Sequence, residues 1–249
     1  VTYAEGDDPD IEAYAGSFGI SALRYDASTQ KFVDLGKVNR SRCYCYTPQL
    51  AMTDKGLCVA WVENTDNSLL GLTTNNRIMT STLTDRKFSV PSTVACGLSS
   101  VTSLAIGKNG SVDSLAYAMD TDNNLTTETQ EVYLAALSGA PAKCTEGNIK
   151  SLKFTSLPSV NTSVLACSAD GALSYISGTT VRSLTDKHFM SGSDFIVDGN
   201  RIFYLADQDE CRNVMAAVYS DGTWNTVMAT TETDYIDSFA YDGKRFAYL

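Results

Sequence analysis

Histidine, zinc-type cysteine spacing and nucleophile motifs are scarce or missing in this 249-residue sequence. The one histidine, His188, has no evident nucleophile partner, and neither a Gly-x-Ser-x-Gly elbow nor a glycine-rich phosphate loop occurs. Cys43 and Cys45 have no second cysteine or histidine pair at zinc spacing. The sequence therefore predicts no serine-type triad, no phosphate-cradling loop and no structural zinc site.

Long apolar runs are also missing. No run approaches the roughly 18 residues that a membrane-spanning helix needs. The sequence has no initiator methionine and no signal-peptide pattern, and its first residues already resemble a β-strand. We therefore expect no membrane insertion, and we expect a mature or excised piece of a longer chain that carries further domains.

Charge is sparse and mostly negative. Charged residues make up 19% of the chain and hydrophobic residues 43%, a balance that disfavours disorder. The 29 acidic and 19 basic residues give a net charge of −10, which argues against nucleic acid or an anionic membrane surface as a partner. Seven cysteines are an odd number, so at least one is unpaired within the chain, and spacing alone assigns no pairing.

A repeated hairpin unit organises the sequence. In its clearest copy, residues 193–209, two apolar strands flank an Asp198-Gly199 turn and an acidic loop follows. Asp-Gly between apolar runs predicts a tight hairpin, because both residues tolerate positive φ. The unit recurs at 49–67, 103–123 and 238–249, in a shorter form at 152–171, and without its first strand at 1–10.

The second strand of the unit carries an aromatic residue at one equivalent position. These residues are Tyr3, Trp61, Tyr117, Tyr204 and Tyr248, with Ala166 in the fourth unit. The spacing of about 49 residues is typical of propellers or repeat arrays. Each unit continues with two further predicted strands, which gives four short antiparallel strands, the pattern of a propeller blade. We predict that Trp61, Tyr117 and Tyr204 pack between neighbouring blades.

The predicted fold is an all-β propeller that forms a single domain over residues 1–249. Its blades are predicted at about 1–40, 47–95, 101–146, 150–187 and 193–230, with a partial blade at 236–249. Two arrangements fit this pattern of about five visible blades. One is a closed five-bladed ring in which the C-terminal strands complete the N-terminal blade, and the other is a segment of a larger propeller.

A resemblance follows from the hairpins that precede the aromatic strands. They are Asp54-Lys55-Gly56, Lys108-Asn109-Gly110, Asp198-Gly199 and Asp242-Gly243. In architecture the chain resembles the extracellular β-propeller repeats of bacterial surface and secreted proteins. It lacks the marks of WD40 and kelch repeats, and residues 220–224 resemble a single degenerate sialidase Asp box, which is structural and implies no sialidase activity. The resemblance implies an extracellular or cell-surface location.

The loops between second and third strands are acidic in four units, and in a propeller they open on one face of the disc. Asp120 with Asp122, and Asp207 with Asp209, have the Asp-x-Asp spacing that directs two carboxylates to one side of a loop, as a calcium site requires. Two other interpretations are that these residues are solvated turn formers or that they recognise a cationic partner. Calcium is the one cofactor considered.

Asp194 and Asp237 are the catalytic candidates. They fall near the starts of the inner strands, where five-bladed glycosidases place their carboxylates. The other units offer Gln49, Ser103 and Ser151 there, so no third acid is evident. The sequence therefore favours a non-catalytic binding or scaffold module of a larger secreted or cell-surface protein, which recognises protein or glycan through the loops between second and third strands. The alternative is a five-bladed glycoside hydrolase acting on polysaccharide.

Overall fold

All regular secondary structure in the described part of the chain is β-strand. The computed structural model describes residues 18–68, 73–124, 127, 129–155, 163–168, 173–183, 195–208, 211–221 and 223–249. The strands are β1 (Ser21–Asp26), β2 (Lys31–Lys37), β3 (Tyr44–Thr53), β4 (Gly56–Asn64), β5 (Asn76–Thr84), β6 (Lys87–Phe88), β7 (Ser92–Leu98), β8 (Ser100–Asn109), β9 (Val112–Asp120), β10 (Gln130–Ala136), β11 (Ala142–Gly147), β12 (Ile149–Thr155), β13 (Ser163–Ser168), β14 (Leu173–Ser177), β15 (Thr180–Ser183), β16 (Phe195–Asp198), β17 (Arg201–Gln208), β18 (Cys211–Ser220), β19 (Thr223–Met228), β20 (Phe239–Tyr241) and β21 (Phe246–Tyr248).

The strands form separate antiparallel sheets in chain order. Strands β8–β11, β12–β15 and β16–β19 each make a four-stranded meander, and β3–β7 make a five-stranded sheet in which β6 and β7 both pair with β5. Strands β1–β2 and β20–β21 form two-stranded sheets. The predicted all-β propeller fold of four-stranded blades is confirmed. No helix long and apolar enough to cross a membrane occurs in these described ranges.

The sheet β3–β7 differs from the prediction at its outer edge. The sequence predicts one outer strand over residues 88–94, whereas the structure has two, β6 and β7, which both pair with β5. Pro91 lies between them. Proline has no backbone N–H to donate and is tolerated in sheets mainly at edges, so it interrupts the ladder at the outermost strand.

The predicted hairpin turns form as expected. Gly110 and Gly199 have φ values of +66° and +59°, in the left-handed region that glycine adopts without a steric penalty. Gly199 closes the turn between β16 and β17, and Gly110 closes the turn between β8 and β9. The local turn chemistry therefore sets the register of these inner strands.

The core is divided into apolar layers between consecutive sheets. Trp61 packs with Ile20, immediately before β1, and Val38, immediately after β2, and Tyr117 packs in the layer that contains Ile78 of the preceding sheet. Tyr204 lies in the layer that contains Leu173 of the preceding sheet. The three aromatic residues are 0%, 1% and 3% exposed, which confirms their packing between blades. Tyr3 and the side chain of Ala166 lie outside the description, and Tyr248 is 41% exposed.

The first strands β3, β8 and β12 lie side by side and define the inner side of the disc. Because the strands alternate in direction, the loops that follow β4 and β9 share one face with the connections between sheets. We call this the loop face; its described residues are 38–43, 65–68, 73–75, 99, 121–124, 127, 129, 148 and 229–238. The tight turns within each sheet lie on the opposite face, which we call the turn face.

Candidate functional site: the loop face

A buried pair of asparagines anchors the loop between β4 and β5. The Asn64 Oδ1 accepts hydrogen bonds from the backbone N–H groups of Asp66 (3.1 Å) and Ser68 (2.8 Å), and its Nδ2 donates to the Asn76 Oδ1 (2.8 Å). The Asn76 Nδ2 in turn donates to the carbonyl of Leu98 (3.2 Å). Both asparagines are fully buried, so they join the loop to the connection that leads into the next sheet.

Other side-chain amides on the loop face also accept hydrogen bonds from backbone N–H groups. The Gln130 Oε1 accepts from the Ile149 N–H (2.7 Å), and the Asn39 Oδ1 accepts from the Ile20 N–H (2.8 Å). The Asn213 Oδ1 accepts from the Glu232 N–H (2.7 Å). An unpaired buried amide would cost about 1–3 kcal/mol, so these contacts restrain the connections between sheets. Sequence analysis did not identify these contacts, although an amide residue lies at or near the start of the third strands β5, β10 and β18.

Asp120 and Asp122 are brought together in the loop after β9. Asp120, the last residue of β9, is 2% exposed and accepts a hydrogen bond from the Asp122 N–H (3.2 Å). The exposed Asp122 carboxylate accepts from the Thr127 hydroxyl (2.8 and 2.9 Å) and from the Asn124 N–H (2.9 Å). Burial and the neighbouring Asp122 raise the pKa of Asp120, whereas the hydrogen bonds from Thr127 and Asn124 lower the pKa of Asp122.

Calcium binding at Asp120 and Asp122 stays a prediction. The described ranges contain no group of three His, Cys, Asp or Glu side chains that could hold a metal ion, so such a site would need backbone or amide oxygens as well. If the site binds calcium, the wild-type chain is expected to melt at a higher temperature in a calcium buffer than in a buffer with a chelator. The Asp122→Asn variant is expected to melt at the same temperature in both buffers. The same melting temperature for the wild-type chain in both buffers would contradict the predicted calcium site.

The raised pKa of Asp120 predicts a pH-dependent stability. A carboxyl whose pKa is higher in the folded chain favours folding at low pH, and that contribution is lost as the pH rises through the folded-state value. Asp120→Asn keeps the acceptor for the Asp122 N–H and removes the charge. We expect the variant to unfold at higher urea concentration than the wild type at pH 7, with a difference that shrinks towards pH 4. An Asp120→Asn variant that is less stable than the wild type at pH 7 would contradict the raised pKa of Asp120.

Arg212, on strand β18, links two of the candidate acids, Asp207 on β17 and Asp237 in the connection that leads to β20. Its Nε donates to the Asp207 Oδ1 (2.9 Å), its Nη1 donates to the Asp237 Oδ1 (3.3 Å), and its guanidinium carbon lies 5.3 Å from the centre of the Tyr235 ring. The metal candidate Asp207 and the catalytic candidate Asp237 therefore share one cation. Their predicted partners, Asp209 and Asp194, lie outside the described residues.

A buried carboxylate lies at the loop-face end of the sheet β3–β7. The Glu63 side chain is 1% exposed, and its Oε2 accepts from the Arg77 Nε (2.9 Å) and Nη2 (2.7 Å). Its Oε1 accepts from the Ser41 hydroxyl (2.7 Å) and from the Trp61 Nε1–H (3.1 Å). Charge-assisted bonds of this kind satisfy a buried carboxylate.

An apolar cleft of about 640 Å³ separates the sheet β1–β2 from the sheet β3–β7. Its walls include Leu23, Leu50, Val59 and Phe88. Among the described residues that line the cleft, Arg24 alone is charged. Leu23 and Leu50 are 60% and 63% exposed, so these parts of the cleft wall are accessible to solvent.

The comparisons with known proteins agree with the fold. No protein-family model and no curated protein matches the sequence. Among solved structures, TolB from Acinetobacter baumannii aligns with a TM-score of 0.55 at 14% identity, over 87% of this chain and 50% of that one. A prolyl endopeptidase structure aligns with a TM-score of 0.56 at 14% identity, over 88% of this chain and 32% of that one.

A puromycin-hydrolyzing peptidase of Mycobacterium tuberculosis aligns with a TM-score of 0.52 at 17% identity, over 81% of this chain and 30% of that one. The chain thus spans about half the length of the TolB structure and about a third of each peptidase. At these identities the likeness concerns the fold alone. It supports a β-propeller module.

Proposed function

We propose that this chain is a non-catalytic β-propeller module that binds a protein or carbohydrate ligand through its loop face, within a larger secreted or cell-surface protein. The observation that carries the proposal is the set of buried polar contacts beneath that face, from Asn64, Asn76, Gln130 and Asn213. Loops held in one shape lose less conformational entropy when a ligand binds, so a rigid loop face favours recognition.

The chemistry of the loop face fits a ligand rich in hydrogen-bond donors. The exposed carboxylates of Asp66 and Asp122 are held by contacts within their own loops, from the Asn75 Nδ2 (2.8 Å) and the Thr127 hydroxyl, and they project acceptor oxygens beyond the buried layer. Sugar hydroxyls and the ammonium or guanidinium groups of a protein are suitable donors. The net charge of −10 supports the same choice over nucleic acid.

Loop-face variants test this function. We expect binding of the chain to an oligosaccharide array or to a panel of purified extracellular proteins, with affinity reduced about tenfold or more in the double variant Asp66→Asn and Asp122→Asn, since a charge-assisted hydrogen bond contributes roughly 1.5–3 kcal/mol. Asp85→Asn is the matched control, because Asp85 is an exposed acid on the turn face. Equal weakening by the control would contradict binding at the loop face.

Hydrolysis of a glycoside by the chain would favour the alternative function, that of a five-bladed glycoside hydrolase. That mechanism needs two carboxyl groups about 5–9.5 Å apart that act as acid and as nucleophile or base. Hydrolysis of aryl glycosides by the chain, abolished in Asp237→Asn or Asp194→Asn and retained in Asp85→Asn, would replace the binding proposal. We expect no hydrolysis, because Asp237 is exposed and pairs with Arg212.

A further inference from the structure

The apolar cleft between the sheets β1–β2 and β3–β7 is closed by core residues on one side and open to solvent on the other. On the closed side Val38, Cys45 and Val59 are buried, whereas Leu23 and Leu50 on the open side are mostly exposed. Its volume of about 640 Å³ lies within the roughly 300–1,000 Å³ that is usual for small-molecule sites, which are mainly apolar with few polar groups. The cleft therefore has the size and lining of a small-molecule site.

The closed side is suited to an alkyl chain. Val38 and Val59 are aliphatic. Burial, followed by the nearby charge of Glu63, raises the pKa of Cys45 to about 12, so its thiol is neutral at pH 7. Removing an alkyl chain from water is favourable roughly in proportion to the apolar area that is buried. An alkyl chain on this side would meet apolar groups and an uncharged thiol.

The open side carries one cation, the exposed Arg24. The acids nearest to it in the sequence are engaged in their own turns. The Asp26 carboxylate accepts from the Ser28 hydroxyl (2.7 Å), and the Asp34 carboxylate accepts from the Gly36 N–H (2.7 Å). Within the described ranges, no ion pair involves Arg24. Because a guanidinium matches a carboxylate in charge and geometry, charge complementarity favours an anionic head group here.

We propose that this cleft binds a fatty acid, with the alkyl chain against the closed side and the carboxylate paired with Arg24. The net charge of −10 disfavours anions in general, so burial of the alkyl chain contributes most of the affinity and Arg24 sets the orientation. Asp66 and Asp122 do not line the cleft, so this site is separate from the loop face.

Isothermal titration calorimetry of the full chain tests the proposal, with dodecanoate, decanoate and 1-decanol as probes. We expect dodecanoate to bind about fifteenfold more tightly than decanoate, because each further buried methylene strengthens binding about fourfold. We expect decanoate to bind about fivefold more tightly than 1-decanol, which has the same chain length and no charge, since an exposed ion pair contributes up to about that factor.

Two variants with matched controls locate the head group and the chain. Arg24→Gln is expected to weaken dodecanoate binding about fivefold and to leave 1-decanol binding unchanged, whereas Lys244→Gln, an exposed cation in the turn after β20, is expected to change neither. Leu50→Asp is expected to weaken both ligands more than about tenfold, because it places a charge on the apolar wall. Val112→Asp, on β9 and outside the cleft, is its control.

The wild-type chain alone decides the proposal if a variant does not fold, which circular dichroism checks. Absence of dodecanoate binding up to about 1 mM would overturn the proposal, and so would 1-decanol binding as tight as that of decanoate. Dodecanoate binding that is unchanged in Leu50→Asp would also contradict it, because the ligand would then lie elsewhere. The double variant Asp66→Asn and Asp122→Asn is expected to retain dodecanoate binding, so failure of this proposal and failure of loop-face binding are distinguishable.

Discussion

Trp61→Ala is expected to destabilise the chain by about 3–5 kcal/mol, the usual cost of truncating a large buried aromatic side chain. Trp61 is fully buried between the sheets β1–β2 and β3–β7, in contact with Ile20 and Val38. Its removal leaves a cavity that two sheets line, and it also removes the hydrogen bond from the indole N–H to Glu63 (3.1 Å). The loss is measured as the change in unfolding free energy from urea titration, with the slope compared between variants.

Trp224→Ala is the matched control for this prediction. Trp224 lies on the outer strand β19, is only partly buried and contacts Tyr219 at 5.2 Å between ring centres. We expect its truncation to cost less than about 2 kcal/mol, since less apolar area is exposed to water. Similar losses for the two tryptophans would mean that Trp61 does not fill a layer between sheets.

Glu63→Leu is expected to cost about 3 kcal/mol, although leucine is apolar and similar in size. The substitution leaves the Arg77 guanidinium, the Ser41 hydroxyl and the Trp61 N–H without their acceptor. Removing one partner of a buried ion pair usually costs about 3–5 kcal/mol. Because the Arg77 side chain is 32% exposed and can turn towards water, we expect the lower end of that range.

Two further variants isolate the cause. Glu63→Gln keeps an acceptor for Ser41 and Trp61, so it is expected to lose less stability than Glu63→Leu. Asp54→Asn removes an exposed ion pair with Lys108, which crosses from one sheet to the next, and it is expected to cost less than about 1 kcal/mol. A loss for Glu63→Leu as small as that for Asp54→Asn would show that the Glu63 network does not stabilise the sheet.

The fold could be predicted from the sequence because its signals are local. The turns at Gly110 and Gly199 and the apolar strands that follow them repeat along the chain, and each copy points to the same hairpin. The position of Trp61, Tyr117 and Tyr204 in the repeat was sufficient to predict their burial between blades. The break at Pro91 was the exception, because an apolar pattern continues across it while its backbone cannot pair.

The polar contacts of the loop face depend instead on register between strands distant in sequence. Glu63 meets Arg77 because β4 and β5 pair in a register that the loop between them does not reveal. Arg212 reaches Asp237 across 25 residues, from one sheet to the connection that precedes the next. Charge and turn propensity alone placed Asp120 in an acidic loop, as a calcium candidate or a solvated turn residue, whereas it is almost completely buried at the end of β9.

The central claim is that four-stranded sheets pack face to face around an inner side, with an aromatic side chain hidden in the layers between them. Acrylamide quenching of tryptophan fluorescence in a Trp224→Phe variant tests it most directly, because Trp61 is then the single tryptophan in the sequence. The packing predicts blue-shifted emission and little quenching until the chain unfolds. Red-shifted emission that acrylamide quenches as readily as free tryptophan would contradict it.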